Sequence, residues 1–203
     1  MITVLDYGVG NIASVQKAFE HLGHTVNVTQ NPNDIDASTF LVVPGQGAIK
    51  QALTALTDLN LKEPLLNYLK AERPFLGICL GFQLLFEHCE EHGGHDGLGI
   101  FKGTVKRFDD THQKVPHMGW NDVQFTGDMK PITNTLPTPA HVYFVHSYFV
   151  ESTDNSCVVA TSEYGSNIVA AVKKGNIWAT QFHPEKSGDV GLSILKFILA
   201  ETL

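Results

Sequence analysis

Apolar and polar positions follow two different rhythms along the chain. In the first part, short apolar runs alternate with stretches of helical period. Ile2–Leu5 reads as a buried strand. Ile12, Val15, Phe19 and Leu22 then share one stripe, and Gly23 supplies a stop for that helix. Residues 25–29 and Phe40–Val43 read as strands, 61–71 as a helix, and 75–79 as another buried strand. From 103 to 175 the period shortens to alternation, with strand-like runs at 122–125, 141–145, 158–162 and 168–173 separated by turn residues. A further apolar run at 176–180 precedes a last helix over about 190–203, which puts Ile194, Phe197 and Ile198 on one face. Strand–helix alternation predicts an α/β fold with a doubly wound, mostly parallel sheet flanked by helices. The second half adds antiparallel strands. No linker, repeat or low-complexity stretch interrupts the pattern, so residues 1–203 read as one domain.

The apolar run at 75–79 ends in a cysteine with glycines two residues to either side, Gly77 and Gly81. A helix-like pattern follows at once. Strand, sharp turn and helix make the shape of a nucleophile elbow, in which the turn residue projects its reactive atom. A lone cysteine in an apolar run is ordinarily packing. The flanking glycines argue otherwise, because they leave room for strand and helix backbones to close up. At a helix N-terminus, free N–H groups and the helix dipole favour thiolate over thiol.

A partner for Cys79 lies about a hundred residues downstream, at His183-Pro184-Glu185. Pro184 biases His183 towards extended backbone. In an extended segment residues two apart face one side, so Glu185 can orient the His183 ring. Alone, a His-x-Glu reads as surface charge. Together with the elbow it completes a Cys-His-Glu triad: nucleophile, base and orienting acid.

Gly77-Ile78-Cys79-Leu80-Gly81-Phe82-Gln83 with His183-Pro184-Glu185 resembles the class I glutamine amidotransferase family, and the likeness runs over essentially the whole chain. The segments 114–121, 143–148 and 181–187, with the opening Asp6-Tyr7-Gly8-Val9-Gly10-Asn11, narrow it to a branch whose glutaminase serves a separate cyclase. The resemblance implies a flavodoxin-like sheet, glutamine as substrate, and no metal or organic cofactor. It implies a heterodimer in which ammonia passes to a (β/α)8-barrel cyclase subunit. By the same resemblance Pro44-Gly45-Gln46-Gly47 supplies oxyanion N–H groups, with Leu80 adding its own. Gln46 departs from the Pro-Gly-Val-Gly usual in the family, which bears on how easily this segment rearranges. Gln83 and Glu91 match positions that hold the polar groups of glutamine, and Ser147 and Tyr148 match the segment lining its backbone. Gly10, Asn11, Met118 and Trp120 fall where the family meets its cyclase, although Trp120 could equally pack inside the chain. A glutaminase serving another synthase, for anthranilate, guanylate or pyridoxal phosphate, is the alternative within the family.

Charge narrows the partners further. The formal net charge is −7, which disfavours nucleic acid and acidic membranes. Three cysteines without framework spacing, and no signal peptide or membrane-span pattern, suit a cytoplasmic protein. Two other motifs compete for attention. Gly8-Val9-Gly10-Asn11-Ile12-Ala13 fits a dinucleotide-binding turn, but the acidic residue expected at the end of the second strand is absent from Thr29-Gln30-Asn31. His88 and His92 stand four apart as zinc ligands can on a helix, yet Cys89 replaces the required Glu, so 88–95 reads as a solvated helix end.

Overall fold

The structure, a computed structural model, describes residues 1–203. Its strands in chain order are β1 Ile2–Leu5, β2 Val26–Thr29, β3 Phe40–Val43, β4 Phe75–Ile78, β5 Phe86–Cys89, β6 His95–Asp96 and β7 Phe101–Arg107. They continue with β8 His117–Asp122, β9 Gln124–Phe125, β10 His141–His146, β11 Tyr148–Ser152, β12 Val158–Glu163, β13 Asn167–Lys174 and β14 Ile177–Thr180. The α-helices are α1 Ile12–His21, α2 Pro32–Ala37, α3 Ile49–Asp58, α4 Lys62–Lys70, the single turn α5 Leu80–Gln83, and α6 Gly188–Thr202.

The main sheet has the order β2-β1-β3-β4-β14-β13-β12-β9. Its first five strands are mutually parallel and the last three antiparallel. The parallel part has the 2-1-3-4-5 order of a flavodoxin-like doubly wound sheet, so the expected fold class holds. Both faces are covered. Val4, Phe40, Val42, Leu76, Ile78 and Trp178 pack with Val15 and Phe19 of α1 and with Ile194 and Ile198 of α6. The alternate residues Leu5, Leu41, Val43, Phe75 and Ile177 pack against Ile49 and Leu56 of α3 and Leu65 and Leu69 of α4. Each strand thus divides its side chains between two cores, which is why these runs read as continuous apolar segments.

Two smaller sheets lie beside the main one: β11-β7-β5-β6 and the pair β10-β8. Here the structure departs from the sequence reading. The segment after Cys79 is helical for one turn only, and residues 86–89 are strand rather than helix. The polypeptide is captured by long-range pairing instead. Leu98 N–H bonds to the Leu84 carbonyl at 2.7 Å, Ile100 N–H bonds to the Leu85 carbonyl at 2.8 Å, and Phe86 packs edge-on to Phe82 and at a tilt to Phe101. His88 therefore sits on a strand beside Asp96, and His92 lies in a 3-10 turn, so the two do not share a helix face. The run expected at 122–125 is split at Val123 between β8 and β9.

The glycines of the elbow are fixed by this packing. A Cβ on Gly77 would stand 2.6 Å from the Gly81 carbonyl oxygen, and one on Gly81 would run into the Val43 carbonyl. Both obstacles are backbone, so neither can swing aside. Gly81→Ala is expected to destabilise the fold by about 2 kcal/mol or more, the scale of forced overpacking. Equilibrium denaturation checks this; an unchanged midpoint would show that β3 and α5 are not in firm contact.

Candidate active site

β4 ends at Ile78, and Cys79 takes φ 56° and ψ −102°. Residues with a Cβ seldom occupy that region, and strain of this kind gathers at functional sites. Neighbours hold the angle: Cys79 N–H bonds to the Thr180 carbonyl of β14 at 2.8 Å, and Phe82 and Gln83 donate to the Cys79 carbonyl. The sulfur reaches a cavity of about 560 Å³ at the carboxyl ends of β3 and β4. Gln46, Gly47, Leu80, Gln83, Glu91, Ser147 and Tyr148, all singled out from sequence, line it together with Cys79. Gly45 is not on the wall.

His183 has φ −100° and ψ 93°, the extended backbone expected before Pro184. The next residues do not continue that way. Pro184–Lys186 form one 3-10 turn, so Glu185 reaches His183 by turning back rather than by alternation along an extended segment. The outcome is the expected pair: His183 Nδ1 lies 2.7 Å from Glu185 Oε1, with both side chains buried. The turn is anchored to β10. His183 N–H bonds to the Tyr143 carbonyl at 2.9 Å, Ser187 Oγ donates to the His183 carbonyl at 2.6 Å, and Tyr143 N–H donates to Ser187 Oγ at 3.0 Å.

Burial alone would push the His183 pKa down. The negative charge of Cys79 and the Glu185 carboxylate outweigh it and hold the pKa up at about 9. The Cys79 charge is the largest raising influence and a weaker sulfur–ring interaction adds to it, although Nε2 of His183 makes no hydrogen bond of ordinary geometry. Such contacts commonly tighten only when substrate is bound.

Three site residues are engaged differently from the sequence expectation. Leu80 N–H, the expected oxyanion donor, points to the Gly45 carbonyl at 3.4 Å. Glu91 Oε2 accepts the Ile49 N–H at 2.6 Å, at the start of α3, where Ala48 offers no side-chain cap. Gln83 spends both N–H groups inside the protein, on the Tyr148 carbonyl at 3.0 Å and on Gln181 Oε1 at 2.9 Å. Only its Oε1 remains to meet a ligand. Sequence reading assigned no role to Gln181, which is completely buried, or to His146, Tyr143 and Lys186, which also line the cavity. Gln181 stood in view as a polar residue directly after an apolar strand.

The residues expected at a partner lie on the outer side of the same region. Gly10 has φ 115°, and a Cβ there would come 3.2 Å from Gly45 Cα, so the opening loop rests on the segment that faces Leu80. Asn11 caps α1 through Ser14 N–H. Met118 and Trp120 are 61% and 58% exposed. Trp120 meets Tyr143 edge-on and is not a core residue.

The sequence matches the family described as Glutamine amidotransferase class-I over residues 3–199. This chain belongs to that family. Among its relatives, imidazole glycerol phosphate synthase subunit HisH of Syntrophotalea carbinolica is 48% identical, with 97% of this chain and 98% of the relative covered. The subunit HisH of Acinetobacter baylyi is 44% identical over 96% and 95%. The chloroplastic imidazole glycerol phosphate synthase hisHF of Arabidopsis thaliana is 43% identical over 98% of this chain but only 34% of its own length. Two solved structures share the fold: a glutamine amidotransferase at TM-score 0.78 and 17% identity, covering 99% of this chain and 98% of that one, and PurLQS from Thermotoga maritima at 0.76 and 18%, covering 98% and 97%. Membership in the class I amidotransferases makes this chain an enzyme with glutaminase chemistry. No helix is long and apolar enough to cross a membrane.

Two measurements follow from the electrostatics of this amidotransferase site. Removing the Cys79 charge in Cys79→Ala leaves burial with less opposition, so the His183 pKa should fall clearly below 9; NMR titration showing no fall would separate the two residues. Elsewhere in the site, His117 Nδ1 and His146 Nε2 are 2.9 Å apart, and His146 Nδ1 faces the Tyr148 carbonyl at 2.8 Å. Burial lowers their pKa values to about 4 and about 3. Unfolded, both would titrate near 6.5, so the unfolded chain binds more protons between about 3 and 6.5. Their contribution to stability is therefore complete above pH 6.5 and is lost as pH falls through that window. Both rings should be neutral at pH 5.5 by ¹⁵N shifts; a protonated ring at that pH would contradict the geometry.

Proposed function

We propose that this chain is the glutaminase subunit of imidazole glycerol phosphate synthase, acting as one glutamine amidotransferase domain over residues 1–203. The observation that carries the reading is the buried Glu185–His183 pair set behind Cys79 at a strained elbow that opens to a substrate-sized cavity. The names of relatives matching nearly the whole chain support the choice of synthase.

In this reading the Cys79 thiolate attacks the side-chain carboxamide carbon of glutamine. The C–S bond forms as the carbonyl electron pair moves onto oxygen. When the tetrahedral species collapses, the C–N bond breaks and His183 gives its proton to the departing ammonia. Water then attacks the thioester while His183 takes a proton from it, and glutamate leaves with the thiolate restored. Glu185 keeps Nδ1 protonated and the ring in register. Gln83 Oε1, Glu91 and the Ser147–Tyr148 backbone hold the glutamine ends.

The oxyanion needs N–H groups that the resting arrangement does not offer. Leu80 N–H becomes available only when the Gly45 carbonyl turns away, and N–H groups of 45–47 can then join it. The opening loop leans on Gly45 through Gly10, and Tyr7 donates its hydroxyl to the Pro44 carbonyl at 2.7 Å. A partner seated on Gly10, Asn11, Met118 and Trp120 thus reaches the oxyanion segment through the opening loop, by way of Gly10 and Tyr7. That partner is a (β/α)8-barrel cyclase, forming a heterodimer in the cytoplasm. Ammonia passing to it reacts with a phosphoribulosyl-formimino aminoimidazole carboxamide ribonucleotide. The products are imidazole glycerol phosphate and aminoimidazole carboxamide ribonucleotide, in histidine biosynthesis.

Glutamate release by the chain alone and with purified barrel cyclase tests the reading. Activity should rise strongly on complex formation, and Cys79→Ser should abolish it while the protein stays folded. Equal activity with and without the cyclase would count against the assignment. Trp120→Ala should weaken association by roughly 2 kcal/mol if it is a central anchor, with little change in the melting temperature of the free subunit. A large drop in melting temperature at unchanged affinity would give Trp120 a purely internal role.

A further inference from the structure

The Cys79 sulfur has two polar neighbours besides the histidine. The Val145 carbonyl lies 3.9 Å away, and Gln181 Nε2 lies 3.8 Å away. A carbonyl can accept from the thiol but repels the thiolate. An amide N–H does the reverse, so the identity of the Gln181 atom facing sulfur decides its effect.

That identity follows from a backbone group. The Tyr148 carbonyl can only accept, so the Gln83 atom 3.0 Å from it is nitrogen. The same nitrogen lies 2.9 Å from the Gln181 amide, which must therefore present its oxygen there. Gln181 then has its nitrogen towards Cys79. His146 Nδ1–H donates to the same Tyr148 carbonyl at 2.8 Å, and His117 donates from Nδ1 to His146 Nε2. His117 Nε2 is left to accept from Asn121 Nδ2 at 3.3 Å. Two donor series thus converge on one fixed carbonyl, and neither can reverse without setting donor against donor.

We propose that Gln181 is a positioning residue for Cys79: its buried amide N–H holds the sulfur in its thiolate form and in place, and Gln83 fixes the amide in that orientation. The charged and titratable groups around the sulfur are His183 with Glu185 behind it, Tyr7 beneath, His146 beside it, and Glu91, Lys186, Tyr143 and Tyr148 across the cavity. Gln181 supplies a neutral side-chain donor among them. Its N–H favours the charged form of sulfur without adding a proton that could be passed on.

The proposal rests on the glutaminase reading, and its test does not need glutamine. The rate of Cys79 alkylation by iodoacetamide is followed against pH by mass spectrometry in the full chain. Gln181→Met removes the donor and should raise the midpoint by about one pH unit. Gln181→Glu keeps the size of the side chain and an acceptor for Gln83 but turns a carboxylate on the sulfur, and it should raise the midpoint further. Glutamine turnover at neutral pH should fall at least tenfold in kcat, with a smaller change in KM. An unchanged midpoint in either folded variant overturns the proposal, including the case where only the melting temperature falls. In the wild-type chain the Gln181 side-chain NH2 signals should move with the midpoint of Cys79 alkylation, and signals that stay fixed through it also overturn the proposal. A wild-type chain that hydrolyses no glutamine, alone or with its cyclase, would sink the glutaminase reading while leaving the alkylation midpoints to judge Gln181.

Discussion

Cys79 can present its sulfur to the cavity because its backbone is held at φ 56°, and that angle depends on three backbones pressed together without side chains between them. Gly77 on β4 and Gly81 on α5 face each other, and Gly81 in turn meets the Val43 carbonyl of β3. A strained dihedral survives only where surrounding structure over-determines it. Here the parallel pairing of β3, β4 and β14 does so, with the Cys79 N–H tied to Thr180. The same pairing puts the end of β14 beside the elbow, and so delivers Gln181 and His183 to the sulfur. One steric constraint therefore sets both the position of the nucleophile and the identity of its neighbours.

Around that point the site is electrically prepared but not sterically complete. The raised His183 pKa follows from the negative charge of Cys79 on one side and the Glu185 carboxylate on the other, which together outweigh burial. In the proposed reaction that ring is the proton donor to the leaving group. The proposed oxyanion donor is not free, since Leu80 N–H is bonded to the Gly45 carbonyl. In the proposed reaction, a site charged for attack but unable to stabilise the tetrahedral oxyanion is a resting form. The close approach of Gly10 to Gly45 gives the opening loop, where the proposed partner would sit, a short mechanical path to that carbonyl.

Much of this was legible in the chain itself. The parallel strands announced themselves as short apolar runs because both of their faces are buried, and the elbow through glycine spacing that ordinary helices avoid. What escaped depended on contacts far apart in sequence. Residues 86–89 look helical locally and become strand through pairing with β7. Helices α2 and α3 and the strands β6, β7 and β11 drew no prediction, and β8 was met only at its last residue, although α3 carries a clear apolar face in Ile49, Ala52 and Leu56. Glu91 was placed at the site, but its bond to the Ile49 N–H could not be foreseen from a pair 42 residues apart. Gln181 illustrates the remaining gap: its residue type was visible, but the direction of its amide is set by a carbonyl on another strand.

The central claim is that the strained cysteine, and not either of the other two, attacks the glutamine carboxamide. A glutamine-mimicking electrophile incubated with the wild-type chain and its cyclase, followed by peptide mass mapping, tests it directly. Cys89 and Cys157 are also buried, and burial raises the pKa of both, which leaves them poor nucleophiles at neutral pH. One stoichiometric adduct is expected on Cys79, formed in step with loss of activity and absent in His183→Ala. An adduct on Cys89 or Cys157 that tracks inactivation, with Cys79 unmodified, would contradict it.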